Sequence, residues 1–148
     1  MWFGNRISMH KTGVVLLYVV GPQDYEHILP ITNQIHLIID SLKRNGKPAL
    51  LLIDLEHAGV VKPDGILGGV QFLQRVKFDK VAFLKVHGLT KTVMDLILNR
   101  ANIGQRGQMF EDETEALNWL AYKEEDPEWL RGPGGRDSGT RRSGRLGR

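Results

Sequence analysis

The chain reads as one α/β domain, built on a single mixed, mostly parallel sheet of four to five strands with about four helices. Three observations predict this. Apolar residues alternate along the chain between strand-like and helix-like spacing. Two strand-like stretches, residues 49–54 and 81–86, are near-continuous apolar runs, as expected of strands covered on both faces in the parallel part of a sheet. The 148 residues suffice for one domain but not comfortably for two.

The elements follow in order. Residues 2–10, with Trp2, Ile7 and Met9 among the apolar members, predict a first strand, and Lys11-Thr12-Gly13 turns the chain into a second over 14–20. Gly21-Pro22 breaks that strand, Asp24 caps a short turn, and Pro30 suits a helix N1 position or a kink. Ile31, Ile35, Ile38, Ile39 and Leu42 then recur at helical spacing until Asn45-Gly46, where glycine permits a left-handed close. After the strand at 49–54, Pro63-Asp64-Gly65 precedes a helix with Ile66, Val70 and Leu73 inward, and Asp64 suits its cap. The strand at 81–86 leads to a helix opened by Thr90, Lys91 and Thr92. Val93, Leu96 and Ile97 form its inward face, and Asn102 to Gly104 close it. Residues 106–110 predict a last short strand. Asp112 caps the final helix, Glu115 completes an acidic start, and Ala116, Leu117, Trp119 and Leu120 face inward. Right-handed crossovers put the helices on the sheet faces. Asp126-Pro127 ends the ordered domain, placed at 1–130, with Trp129 and Leu130 folding back onto it.

Composition excludes several classes. With 41 % hydrophobic and 25 % charged residues the chain is globular in type. Its longest apolar run is residues 14–20, far short of the roughly 20 residues of a membrane-spanning helix. The start, Met1-Trp2-Phe3-Gly4-Asn5-Arg6, lacks the pattern of a secretory signal. Without cysteine there is no disulfide framework, thiolate zinc site or cysteine nucleophile, which suits a cytoplasmic protein.

The net charge of +3 is unevenly spread. Arg131, Arg136, Arg141, Arg142, Arg145 and Arg148 face one acid, Asp137, in the last 18 residues, whereas residues 1–130 hold more acids than bases. This Gly/Arg-rich tail, 131–148, has one large apolar residue, Leu146, and reads as disordered. It is either a solvated extension or an arm making nonspecific, salt-sensitive contact with polyanions.

Residues 15–20, the segment from Asp24-Tyr25-Glu26 to Pro30, Leu50-Leu-Leu-Ile-Asp54, and the ending Phe110-Glu-Asp-Glu-Thr-Glu-Ala-Leu-Asn-Trp-Leu120 resemble the SpoIIAA-like branch of the STAS domains. The resemblance spans roughly residues 12–122. It implies a STAS-type sheet with helices and a non-enzymatic, regulatory role as a protein partner. Anti-anti-sigma relatives carry Asp-Ser-Ser-Gly before a helix, with a phosphorylated serine. The matching stretch here is Lys62-Pro63-Asp64-Gly65, where both serines are missing. Asp64 at the serine position carries about one negative charge where a phosphoserine carries nearer two, so the resemblance implies a module without that switch.

The expected partner-binding residues are His57, Gly59, Val60, Val61, Asp64 and Gly65, with Gly59 to Val61 presenting apolar atoms on a loop. Ligands of parallel sheets sit beyond the carboxyl ends of the strands, which here gather Asp54, Glu56, His57, His87 and the helix start at Thr90 and Lys91. Asp54, His87, Thr90 and Lys91 are therefore the alternative ligand-binding set. No metal-ligand pair, nucleophile elbow or phosphate loop occurs, so no cofactor, metal or catalytic residue is assigned. Gly65-x-x-Gly68-Gly69 lies in a helical pattern and suits close packing instead. His27 and His36 fall on the first helix. The rival to a protein partner is a small apolar or lipid-like ligand in a cavity lined by Ile28, Leu29 and Ile31, with Phe72, Met94 and Met109 adapting to its shape.

Overall fold

A computed structural model describes residues 4–122. Trp2, Asp126-Pro127, Trp129, Leu130 and the tail at 131–148 lie outside the described residues. Strands β1 (Arg6–Met9), β2 (Val15–Tyr18), β4 (Leu50–Asp54), β6 (Lys80–Leu84) and β7 (Gly107–Phe110) form one sheet in the order β1-β2-β4-β6-β7. Strand β1 runs antiparallel to β2, and the other neighbours are parallel. Helices α1 (Tyr25–Arg44), α2 (Pro63–Arg75) and α3 (Leu89–Ala101) supply the crossovers, and α4 (Glu113–Ala121) follows the last strand. The expected mixed, mostly parallel five-stranded sheet with four helices is present.

Alternation along the strands explains the apolar runs. Val15, Leu17, Leu51, Ile53, Val81 and Phe83 belong to the core under α1, α2 and α3. The residues between them, Leu16, Leu52, Ala82 and Leu84, pack on the opposite face with Ala116 and Leu120 of α4. Both faces are therefore covered, and each fully buried aliphatic side chain contributes about 1.5–3 kcal/mol.

Four expectations are corrected. Pro30 does not start the first helix. Asp24 does, its carboxylate accepting from the His27 backbone N–H at 2.9 Å, and Pro30 lies inside α1. The proline removes the bond to the Glu26 carbonyl, but both residues are exposed, so solvent can satisfy that oxygen. Asp64 does not cap α2. Pro63 takes the first helical position, so Lys62 becomes the cap residue and makes no side-chain cap bond. Leu96 is 38 % exposed rather than inward, because the buried face of α3 runs through Met94, Ile97 and Ala101 at spacings of three and four. Finally, the segment holding Gly59 is no loop. Strand β5 (Ala58–Val61) pairs parallel with β3 (Gly21–Gln23), the stretch expected to break the preceding strand.

The ends of the helices otherwise follow their residues. Asn45 closes α1 and Gly46 takes φ +71°. Asn102 closes α3 in the left-handed conformation. Asp112 caps α4, its carboxylate accepting from the Glu115 N–H at 3.0 Å.

Candidate functional site

The small β3–β5 sheet builds a roof over the carboxyl end of the main sheet. Gly21 donates its N–H to the His57 carbonyl at 3.0 Å, and Lys62 donates to the Gln23 carbonyl at 2.9 Å. Two glycines permit this. A Cβ on Gly59 would lie 2.9 Å from the Gly21 carbonyl carbon, and one on Gly65 would lie 2.6 Å from the Gln23 carbonyl oxygen. Farther along α2, Gly68 rests on Ile28 of α1, and a Cβ on Gly69 would meet Ile97 of α3 at 2.9 Å. The glycines thus serve close packing, as their helical setting implies.

Beneath the roof lies a partly open apolar cavity of about 90 Å³ between the sheet and α1, α2 and α3. Ile28, Ile31, Phe72 and Met94 line it, joined by Val61 from β5 and Ile97 from α3. Leu29 and Met109, expected there, do not. Its polar members are Asn5 and Gln23. Gln23 is only 4 % exposed, yet its amide is fully engaged. Nε2 donates to the carbonyls of Val20 (3.3 Å) and Gly21 (3.0 Å), and Oε1 accepts from Asn5 Nδ2 at 2.9 Å. Satisfying these atoms internally removes the penalty of burying an amide.

Outside the roof the same end of the sheet is polar. Lys85 Nζ donates to Glu56 Oε1 at 3.0 Å, which holds the Glu56 carboxyl below its ordinary range and raises the Lys85 ammonium above its own. His57 Nε2 is 3.9 Å from the same carboxylate oxygen. Asp54 Oδ1 accepts from the Glu56 N–H at 2.9 Å. At the start of α1, His27 Nδ1 lies 2.6 Å from Asp24 Oδ1, and this hydrogen bond is the main cause of the lowered Asp24 pKa.

The expected partner-binding residues divide into two groups. His57, Val60 and Asp64 are exposed, whereas Gly59, Val61 and Gly65 are built into the roof or the cavity wall. Of the alternative ligand set, Asp54, His87, Thr90 and Lys91, none lines the apolar cavity. Lys91 is 3.9 Å from Asp95, one turn along α3. Asp54 borders a small cleft with Tyr18 and Glu113 on the α4 face. Sequence reading missed Leu89, which is 86 % exposed at the first position of α3; Val60, on β5, is 74 % exposed. Leu89 sits off the Met94–Ile97–Ala101 stripe, a signal visible once the helix start is fixed.

No protein-family model matches the chain, and neither does any curated protein sequence. Solved structures do. An uncharacterised DUF3478-family protein with a SpoIIAA-like fold from Shewanella loihica PV-4 is 18 % identical, with a TM-score of 0.57, over 81 % of this chain and 96 % of that one. The anti-sigma factor antagonist SpoIIAA in its unphosphorylated form is 17 % identical over 79 % of this chain and 97 % of that one, with a TM-score of 0.49. Strand order, crossovers and this likeness agree: the chain has a SpoIIAA-like fold.

Proposed function

We propose that this chain is a non-catalytic regulatory module that docks a partner protein on the carboxyl edge of its sheet, around Val60 and Leu89. The exposure of these two aliphatic side chains carries the reading. They stand on α3 and β5, elements that pack against each other, and their solvation is relieved when a partner covers them. His57, Asp64 and the Glu56–Lys85 pair give the edge a polar rim suited to selecting among partners. The non-catalytic part rests on the exposure of His57 and His87, neither of which lines the cavity. Because Lys62-Pro63-Asp64-Gly65 lacks both serines of the Asp-Ser-Ser-Gly stretch it resembles, docking is independent of serine phosphorylation there.

The test compares the wild-type chain with Val60→Glu/Leu89→Glu in affinity capture from lysate of the source organism, after circular dichroism establishes that both fold. A stoichiometric protein held by the wild type and lost by the variant supports the surface. Partners held equally by both variants overturn it.

The cavity favours a second reading, a small apolar ligand. Its size limits the occupant: about 90 Å³ falls below the ~150 Å³ of an engineered apolar cavity that takes up benzene. Only a few carbon atoms fit without movement of α2 or α3, so a whole lipid chain does not. Denaturing extraction followed by mass spectrometry decides this reading, since a stoichiometric apolar molecule supports it and a clean extract opposes it.

A further inference from the structure

The end of the molecule opposite the proposed docking edge carries a different charge. Four basic residues close helices there: Lys43 and Arg44 on α1, Arg75 on α2 and Arg100 on α3. Cations at helix carboxyl ends complement the helix dipole, so these alone signal little. Five more follow: four in turns or at a strand start, and Arg106 at the end of the short 3-10 helix Gly104–Arg106. Lys11 is in the β1–β2 turn, Lys47 follows α1, Lys77 follows α2, Lys80 opens β6, and Arg106 precedes β7.

Hydrogen bonds tie this end together. Lys43 Nζ donates to the Lys77 carbonyl at 2.9 Å, Arg106 Nη1 to the Phe78 carbonyl at 3.1 Å, and Lys80 Nζ to the Tyr122 carbonyl at 2.6 Å. Asp79 bonds the Ala49 N–H at 2.8 Å, bringing the Lys47 turn alongside. Among the described residues, only Asp40 and Asp79 oppose these cations at this end, while the remaining acids lie toward the other end or along α3. Lys11, Lys47, Arg75, Lys77 and Arg100 make no ion pair or side-chain hydrogen bond among the described residues, which leaves them for a partner.

We propose that this basic end of the sheet binds the phosphate backbone of nucleic acid without reading its sequence. The five main-sheet strands set a face about 19 Å across, at roughly 4.8 Å per strand spacing, long enough to meet several successive phosphates. Lysine and arginine tips without a helix or ribbon offered to a groove make backbone contacts, which position but do not specify. A lipid surface fits less well, because such binding also needs a cluster of large apolar side chains, and the exposed Met9 and Tyr122 at this end stand on separate elements, the edge strand β1 and the end of α4. The proposal is independent of the docking edge.

Fluorescence anisotropy of the full chain with a labelled 20-nucleotide oligothymidine tests it, across 50 to 200 mM salt. Lys47→Glu/Lys77→Glu is compared with Lys62→Glu/Lys91→Glu, which changes net charge equally at the other end. We expect the first pair to weaken binding at least tenfold and the second to stay within about twofold. Equal losses in the two variants, or no wild-type binding at 50 mM salt, overturn the proposal. So does binding to vesicles of phosphatidylserine and phosphatidylcholine without binding to the oligonucleotide. If the first variant unfolds, Lys47→Gln/Lys77→Gln replaces it, and a salt slope shallower by about 1.4 is expected for two lost phosphate contacts. An unchanged slope overturns the proposal.

Discussion

Lys85 reaches Glu56 across the ends of β6 and β4 at 3.0 Å, and it does so from a backbone at φ +61°. Left-handed backbone costs a non-glycine residue roughly 1–2 kcal/mol. Neighbouring bonds hold it there: the Lys85 N–H donates to the Phe110 carbonyl at 2.8 Å, and Leu55 donates to the Leu84 carbonyl at 2.9 Å. Backbone strain thus coincides with the polar rim of the proposed docking edge, the kind of place where strain tends to be retained for function.

This relationship separates backbone from side chain. Lys85→Ala and Lys85→Gly both delete the ion pair, but only glycine relieves the left-handed φ. Urea denaturation should find Lys85→Gly the more stable of the two by about 1 kcal/mol. Equal stabilities would mean that the backbone relaxes when the lysine is removed.

Two glycines of α2 should respond very differently to alanine. At Gly65 the added methyl meets a backbone carbonyl, the Gln23 oxygen at 2.6 Å, which cannot move without opening the roof. Gly65→Ala should destabilise by about 1–3 kcal/mol, in the range of overpacking. At Gly69 the obstacle is Ile97 Cδ1 at 2.9 Å, the tip of a flexible side chain beside the cavity. Rotation into that space relieves the clash, and alanine gains up to about 1 kcal/mol of helix propensity. Thermal melts should therefore place Gly69→Ala near the wild type and Gly65→Ala well below it.

How much of this was legible in the sequence differs by element. The strands at 15–18, 50–54 and 80–84 and the helix ends at Asp112 and Asn102 were legible, since local chemistry dictates them. The β3–β5 roof was not. Gly21-Pro22 carries a breaker signature, and only the tertiary approach of Gly59 to Gly21 turns it into a strand. The start of α1 was misread for a related reason. Pro30 suits a first turn, but the Asp24 cap and the apolar stripe beyond Pro30 outweigh one lost backbone bond. Around the proposed site, the exposure of His57, Val60 and Asp64 was legible from the sequence stretch after the strand at 50–54. The exposure of Leu89 required knowing where α3 begins.

The acid limb of stability should carry the marks of two carboxylates. Asp24, bonded by His27, and Glu56, bonded by Lys85, both have pKa values lowered by folding. A depressed folded-state pKa contributes stability that is present above the unfolded value and lost as pH falls through the folded one. Stability should thus decline as pH drops below the ordinary carboxylate range, modestly because Glu56 is solvent-exposed and Asp24 only half-buried. Lys85→Met should return the Glu56 pKa toward its usual value in carboxyl NMR titrations while leaving Asp24 unshifted. A Glu56 titration unchanged by Lys85→Met would show that the pair does not persist in solution.

Phe83 tests whether the cavity is a gap in the core or a prepared site. Its ring is buried in β6 beneath the three-helix face and forms part of the cavity wall. Removing it merges the lost ring volume with the existing 90 Å³, so collapse of the surroundings cannot refill the space. Phe83→Ala should cost about 3–5 kcal/mol in urea denaturation, with the midpoint lowered and the m-value unchanged. A cost below about 1 kcal/mol would mean that the cavity tolerates enlargement, which favours the small-ligand reading over a close-packed core. In that event the same variant should bind benzene or xenon more tightly than the wild type, because a dry apolar cavity above roughly 150 Å³ accepts such probes.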